Sequence, residues 1–188
     1  MPEKKKDKRK LYFLGLILPS PYFEKAVNLK QYFSDQFNSK AALRSPPHIT
    51  LHMPFKWNEE KEKVLISTIQ VFAQAQSSIN IEFNDFGCFR PRVIFVNVGK
   101  SEQLENLQRN LHRFSKQELN LFNANYKEFP FHPHVTVAFR DLKKANFTQA
   151  WQEFAEKKFE GEFTTNEISL LKHNGKEWEV YQRFLFGG

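Results

Sequence analysis

Apolar and polar residues alternate with different periods along this chain, and each change of period marks an element. Leu11 to Leu18 is an unbroken apolar run stopped by Pro19 and Pro21, which predicts a buried central strand. From Tyr22 to about Asn38, apolar residues recur at Phe23, Ala26, Val27, Tyr32, Phe33 and Phe37, a helical spacing. Pro46 and Pro47 then introduce an extended segment through Leu51. Asn58 is placed to cap a second helix running to about Gln76, with Val64, Leu65, Ile69, Phe72 and Ala73 as its buried stripe. Ile79 to Phe86 alternates as a half-buried strand, and Gly87 is expected to end it.

The second half repeats this order. Val93 to Val98 reads as a strand, and Ser101 caps a helix to about Leu119 whose stripe is Leu104, Leu107, Leu111 and Phe114. A polar loop from Asn120 to Pro130 precedes another extended segment, and Phe147 to about Lys157 forms a fourth helix. Ile168 to Leu171 and Glu179 to Phe186 close the chain as a hairpin turned at Asn174-Gly175. The expected fold class is α+β and bilobal. Two lobes related by a pseudo-twofold axis each carry an antiparallel sheet and flanking helices. Residues 1–10 are expected to be a basic flexible tail and 11–188 a single domain with intertwined lobes.

A short phrase occurs in both halves. The first copy is Pro47-His48-Ile49-Thr50-Leu51, and the second is Pro133-His134-Val135-Thr136-Val137. Side chains two apart share a face of a pleated strand, so each histidine lies beside its threonine while the apolar residues turn inward. Two copies in matching context point to a duplicated unit that brings two imidazoles to one cleft.

Composition narrows the class of protein further. The fractions of apolar and charged residues, 40% and 26%, are those of an ordinary globular chain, and 21 phenylalanines imply an aromatic interior. The net charge of +7 favours an anionic partner only weakly, because Lys4, Lys5, Lys6, Lys8, Arg9 and Lys10 all sit in the first ten residues. Cys88 is the sole cysteine, which excludes an internal disulfide and a cysteine metal cluster. The apolar run after the basic start is too short for a signal peptide and no stretch reaches membrane-spanning length, so a cytoplasmic monomer is the default.

An imidazole suits proton transfer near neutral pH. Two of them on opposite sides of a phosphodiester let one take a proton from the attacking oxygen while the other protonates the leaving oxygen. A threonine about 7 Å further along the strand is placed to donate to a non-bridging phosphate oxygen. That scheme requires neither metal nor other cofactor.

The paired motifs resemble the two signature motifs of the 2H phosphoesterase superfamily, which includes 2'-5' RNA ligase-like proteins and RNA 2',3'-cyclic phosphodiesterases. The resemblance implies His48 and His134 as the acid/base pair and Thr50 and Thr136 as phosphate clamps. Symmetry-related motifs leave the two roles open, with His48 favoured as acid and His134 as base. Several relatives carry an arginine five residues after the second motif histidine; here Phe139 stands there and Arg140 comes one later. A regular strand would put Arg140 on the His134 face. Arg92 is the next phosphate-binding candidate, and Arg44 the third.

By strand parity His52 shares a face with His48, and His132 with His134, which raises a four-nitrogen metal site. Zinc sites usually draw on cysteine or carboxylate as well, so the favoured place for His52 and His132 is at strand ends near the groove mouth or in solvent. His112 and His173 are expected to be structural or exposed. Phe55, Trp57, Phe129 and Phe131 flank the motifs and are candidates for stacking on a base, although core packing is the commoner fate of such residues.

The resulting expectation is a metal-independent phosphodiesterase acting on RNA or nucleotides with a 2',3'-cyclic phosphate or a 2',5' linkage. The resemblance implies a 2'-phosphate product, with 2'-5' ligation as the reverse reaction. The alternatives are a non-catalytic RNA- or nucleotide-binding module, and the same chemistry on a small cyclic phosphate such as an ADP-ribose derivative.

Overall fold

The computed structural model describes residues 8–122 and 130–188. Its elements, in order, are β1 (Arg9–Ile17), α1 (Tyr22–Phe37), a 3-10 turn (Ala41–Arg44), β2 (His48–Asn58), a second 3-10 turn (Glu59–Lys61), α2 (Glu62–Gln74), β3 (Ile79–Phe89) and β4 (Val93–Val98). They continue with α3 (Glu102–Leu119), β5 (His134–Ala138), α4 (Lys144–Phe154), β6 (Glu160–Thr165), β7 (Glu167–His173) and β8 (Trp178–Leu185). Among the described residues, no helix is long and apolar enough to cross a membrane.

All eight strands join one antiparallel sheet in the order β6-β3-β4-β5-β2-β1-β7-β8. Each half begins with an antiparallel pair, β1 with β2 and β4 with β5. A later strand of each half then leaves its own pair: β3 of the first half adds to β4, and β7 of the second half adds to β1. The helices are exchanged as well, since α1 packs on β5 and α3 packs on β2. The α+β architecture with two related lobes is therefore built by mutual exchange of elements.

Ile49, Leu51, Val135 and Val137 are fully buried beneath the helices, together with Leu14, Leu16 and Val96. Phenylalanine fills the space between α1, α4 and β3, where Phe33 meets Phe154 at 4.7 Å between ring centroids and Phe86 meets Phe154 at 5.0 Å. A polar knot fastens the start of α2 to the sheet. Lys172 Nζ donates to Glu59 at 2.8 Å and Glu62 at 2.6 Å, while Tyr181 Oη donates to Glu62 at 2.7 Å and Tyr12 Oη bonds to the same carboxylate.

Several boundaries differ from the sequence expectation. β1 starts at Arg9, inside the span read as a tail, because Arg9 and Lys10 pair with Asn58 and Trp57. Lys8 follows them by bonding Glu60 at 2.8 Å. β3 runs through Gly87 to Phe89 instead of stopping there. The fourth helix begins three residues early, and β6 forms from a segment whose apolar pattern is too weak to predict a strand. Asn58 does act as a cap, accepting from Glu60 N at 3.1 Å, but it caps the 3-10 turn that precedes α2.

Gly15 allows β1 to approach β2 closely beside the motif. A Cβ built there would lie 2.7 Å from the Ile49 carbonyl oxygen, whereas one at Gly99 meets nothing nearer than 3.5 Å. Gly15→Ala should therefore force the strands apart and cost about 1–3 kcal/mol. Gly99→Ala should change stability by no more than about 0.5 kcal/mol. Urea denaturation of both variants checks this, and an equal midpoint for the two would contradict the close-approach argument.

Candidate functional site

The two motif strands are neighbours at the centre of the sheet. β2 and β5 pair antiparallel at Ile49↔Val135. That register sets His48 opposite Thr136 and Thr50 opposite His134, all four on the face away from the helices. Each of these residues is half-buried, while the intervening Ile49 and Val135 are fully buried. Histidine and threonine thus alternate around a small rectangle open to solvent on one side.

Local chemistry fixes both imidazoles in the same way. His48 Nδ1 donates to the Pro46 carbonyl and His134 Nδ1 to the His132 carbonyl, each at 2.7 Å. A carbonyl can only accept, so the proton of each neutral ring resides on Nδ1 and the Nε2 lone pair is left for a ligand. The intervening prolines hold these carbonyls in place. Leu18 N donates to Pro47 O and Val98 N to Pro133 O, both at 3.3 Å. A phenylalanine also packs against each ring: Phe13 lies 4.6 Å from His48 and Phe95 lies 4.8 Å from His134.

Electrostatics keep both rings neutral in the free protein. Burial pushes the His48 pKa down to about 4, and the charges of Lys30 and His134 add to the effect, against the opposing hydrogen bond to Pro46. His134 is lowered by burial, opposed by its hydrogen bond to the His132 carbonyl, with the His132 charge adding a smaller lowering. A site that disfavours cations on both imidazoles is suited to a ligand that brings negative charge.

Other candidates are placed differently. β2 carries an irregularity where Leu14↔His52 gives way to Gly15↔Thr50, and consecutive Leu51 and His52 are both buried. This bulge reverses the parity, so His52 turns to the helix side, 6.0 Å from His112. His52 therefore neither lines the groove nor faces solvent, and the four-nitrogen set cannot assemble. Among the described residues, no three His, Cys, Asp or Glu side chains are grouped to hold a metal ion. His132 is exposed near Asn97, and His173 accepts from Gly175 N at 3.1 Å in the hairpin turn.

The parity argument for Arg140 fails because β5 ends at Ala138. Arg140 is exposed with φ 59°, its guanidinium 5.0 Å from the Phe139 ring. Arg92 is exposed in the turn between β3 and β4, its amide bonded to Phe89 O at 3.2 Å, and Arg44 is exposed ahead of β2. Phe55 is core, stacked 6.1 Å from Tyr12; Trp57 bonds Lys61 O; and Phe131 packs against the core. Phe129 lies outside the described residues.

The aromatic side chains at the site are ones that pattern reading overlooks. Phe89, 43% exposed, lies 5.3 Å from the His134 ring, and Trp178 packs edge-on at 4.7 Å against Phe13. Both stand at strand ends, where alternation loses its meaning. Lys30 is a further omission, although its position between Ala26 and Phe33 on the buried stripe of α1 is visible in the spacing.

Provisionally named phosphoesterases of two Geobacillus strains are similar along most of their length. The Geobacillus kaustophilus protein is 32% identical, covering 93% of this chain and 96% of its own. That of Geobacillus sp. WCH70 is 31% identical, covering 83% and 87%. In fold, the chain resembles a Thermus thermophilus protein (TM-score 0.69, 19% identity, 95% and 98% of the two chains covered). It also resembles Escherichia coli LigT crystallised with 3'-AMP (TM-score 0.67, 20% identity, 96% and 99% covered). The profile of the 2'-5' RNA ligase superfamily matches residues 19–177, and with both His-x-Thr strands joined at one register, the chain belongs to that superfamily, the 2H phosphoesterases.

Proposed function

We propose that this protein is a metal-independent phosphodiesterase that opens 2',3'-cyclic phosphates, or cleaves 2',5' linkages, in RNA or nucleotides. The observation that carries the proposal is the Ile49↔Val135 register, which opposes each motif histidine to the other motif's threonine. The ligands of LigT agree with a nucleotide substrate, since that protein has been crystallised with 3'-AMP, NADP+, phosphate and ATP.

In the proposed reaction one histidine removes a proton from water, whose oxygen attacks phosphorus. The P–O3' bond breaks, the second histidine protonates the departing O3', and a 2'-phosphate with a free 3'-hydroxyl results. Thr50 and Thr136 donate to the non-bridging oxygens and gain strength as charge accumulates there. Arg92, in the turn between β3 and β4, and Arg140, two residues past the end of β5, supply positive charge from outside the His-Thr rectangle. His48 acts as the acid and His134 as the base. The Lys30 charge beside His48 makes its imidazolium the stronger proton donor once the phosphate has stabilised it.

Turnover of a 2',3'-cyclic nucleotide and of RNA ending in a 2',3'-cyclic phosphate should persist in EDTA. His48→Ala and His134→Ala should each lower kcat by at least about 100-fold with unchanged thermal melts. A p-nitrophenyl diester, whose leaving group needs no proton, should restore activity to His48→Ala and leave His134→Ala impaired. No turnover, with RNA affinity that falls steeply with salt, would instead make the protein a binding module.

The lowered histidine pKa values set the expected pH dependence. Both rings are depressed in the free protein, so the fraction with one ring charged is largest on the acid side. The kcat/KM profile should decline above about pH 6.5, the ordinary histidine value. Bound phosphate raises both rings, so the kcat optimum should lie at higher pH than that of kcat/KM. Rate profiles from pH 4 to 9 measure both, and a flat kcat/KM up to pH 8 would contradict the assignment.

A further inference from the structure

The pseudo-twofold gives His48 and His134 the same orienting hydrogen bond and a similar aromatic neighbour, but what lies behind those bonds differs. Behind His48 stands Lys30 of α1, only 2% exposed. Among the described residues its one hydrogen-bond acceptor is the Ser45 carbonyl, 2.9 Å from Nζ. The next carbonyl, that of Pro46, accepts from His48 Nδ1. Lys30 and the catalytic ring therefore grip adjacent peptides of one proline-stiffened segment. Lys30 also lines a cavity of about 200 Å³ with Arg44, Ser45, Pro46, Pro47 and Trp178, and Trp178 abuts the Phe13 ring that packs against His48.

A buried ammonium with one neutral acceptor is destabilising, because one carbonyl does not replace its lost hydration. Burial pushes the Lys30 pKa down to about 7, so its charge is itself adjustable around neutrality. The titratable neighbour of His134 is instead His132, an exposed ring whose lowered pKa leaves it neutral at pH 7.

We propose that Lys30 is a positioning residue for His48: it braces the Ser45–Pro47 segment that orients the imidazole, and its charge makes the two motif histidines inequivalent. The proposal rests on the phosphodiesterase reading for its catalytic consequence but not for its physical content. The charges that act on His48 are those of Lys30 on α1 and His134 on β5, while Arg44 in the preceding turn and Glu177 in the β7–β8 hairpin line the cavity beside Lys30. Of these, Lys30 alone is fully buried.

The test separates brace from charge. Lys30→Gln keeps a donor toward Ser45 O without the charge, and Lys30→Met removes both. Ring 15N shifts of His48 and His134, followed against pH without substrate, report tautomer and titration directly. Both variants should move the His48 titration upward while leaving His134 in place. Lys30→Met should in addition erode the pure Nδ1–H tautomer of His48. In turnover, Lys30→Met should lose roughly tenfold in kcat with little change in KM, the lower end of the cost of removing an orienting partner from a metal-bound histidine. Lys30→Gln should recover part of that loss with a displaced pH profile. An unmoved His48 titration in folded variants would overturn the proposal, whether or not the protein proves to be a phosphodiesterase. Equal shifts of both histidines would overturn it too.

Discussion

The backbone pairing between β2 and β5 is the constraint on which the site depends. It joins the two halves at the middle of the sheet, and its register decides whether two histidines and two threonines meet on one face. A slip of one residue would send His48 and Thr50 into the core and bring Ile49 to the surface. Full burial of Ile49, Leu51, Val135 and Val137 opposes that slip, so the hydrophobic effect acting behind the sheet fixes the polar geometry in front of it. The exchange of β3, β7, α1 and α3 between halves makes the joint harder to open. Asp141, just beyond β5, adds a polar tie by accepting from Ser39 Oγ, Lys40 N and Ala41 N ahead of β2.

This construction explains why the histidines are depressed without being inert. They stand half-buried over aromatic rings, close enough to feel one another, and no carboxylate is among the charges that shift either of them. Protonation is therefore unfavourable until an anion arrives. A bound phosphodiester would supply that charge and couple its own binding to proton uptake. The same argument gives a cost to acid conditions: below about pH 6.5 an unfolded chain binds protons that the folded site refuses, and stability falls as pH drops toward the His48 value of about 4.

Much of this was legible from the sequence because it rests on local periodicity. The alternation in Pro47–Leu51 and Pro133–Val137 gave the strands, their faces and the pairing of histidine with threonine. Ser101, accepting from Leu104 N at 3.2 Å, was legible as a cap. What failed were inferences that carried a pattern through an interruption. Parity was extended across a bulge to His52 and past a strand end to Arg140, and in both cases the backbone broke the count. The order of strands was not legible at all. Nothing local tells β3 to pair with β4, or β7 with β1, since that choice is made by which apolar faces can be covered together. Phe89 and Trp178 reach the site through that non-local order.

The helices show how a duplicated frame acquires unequal chemistry. Both α1 and α3 end on an asparagine in the left-handed conformation, Asn38 and Asn120. In each, the next amide bonds back to a helical carbonyl at 3.1 Å, Ser39 N to Phe33 O and Leu121 N to Ser115 O. Counted back from these matching ends, Lys30 and His112 occupy corresponding positions. Both are titratable groups shifted downward by burial, yet Lys30 reaches the lead-in to His48, whereas His112 meets His52 behind the sheet. Duplication of the frame supplied two equivalent histidines. A reaction that needs one acid and one base requires them to differ, and in this fold the difference originates in the helix behind the motif, where substitution leaves the shared register untouched.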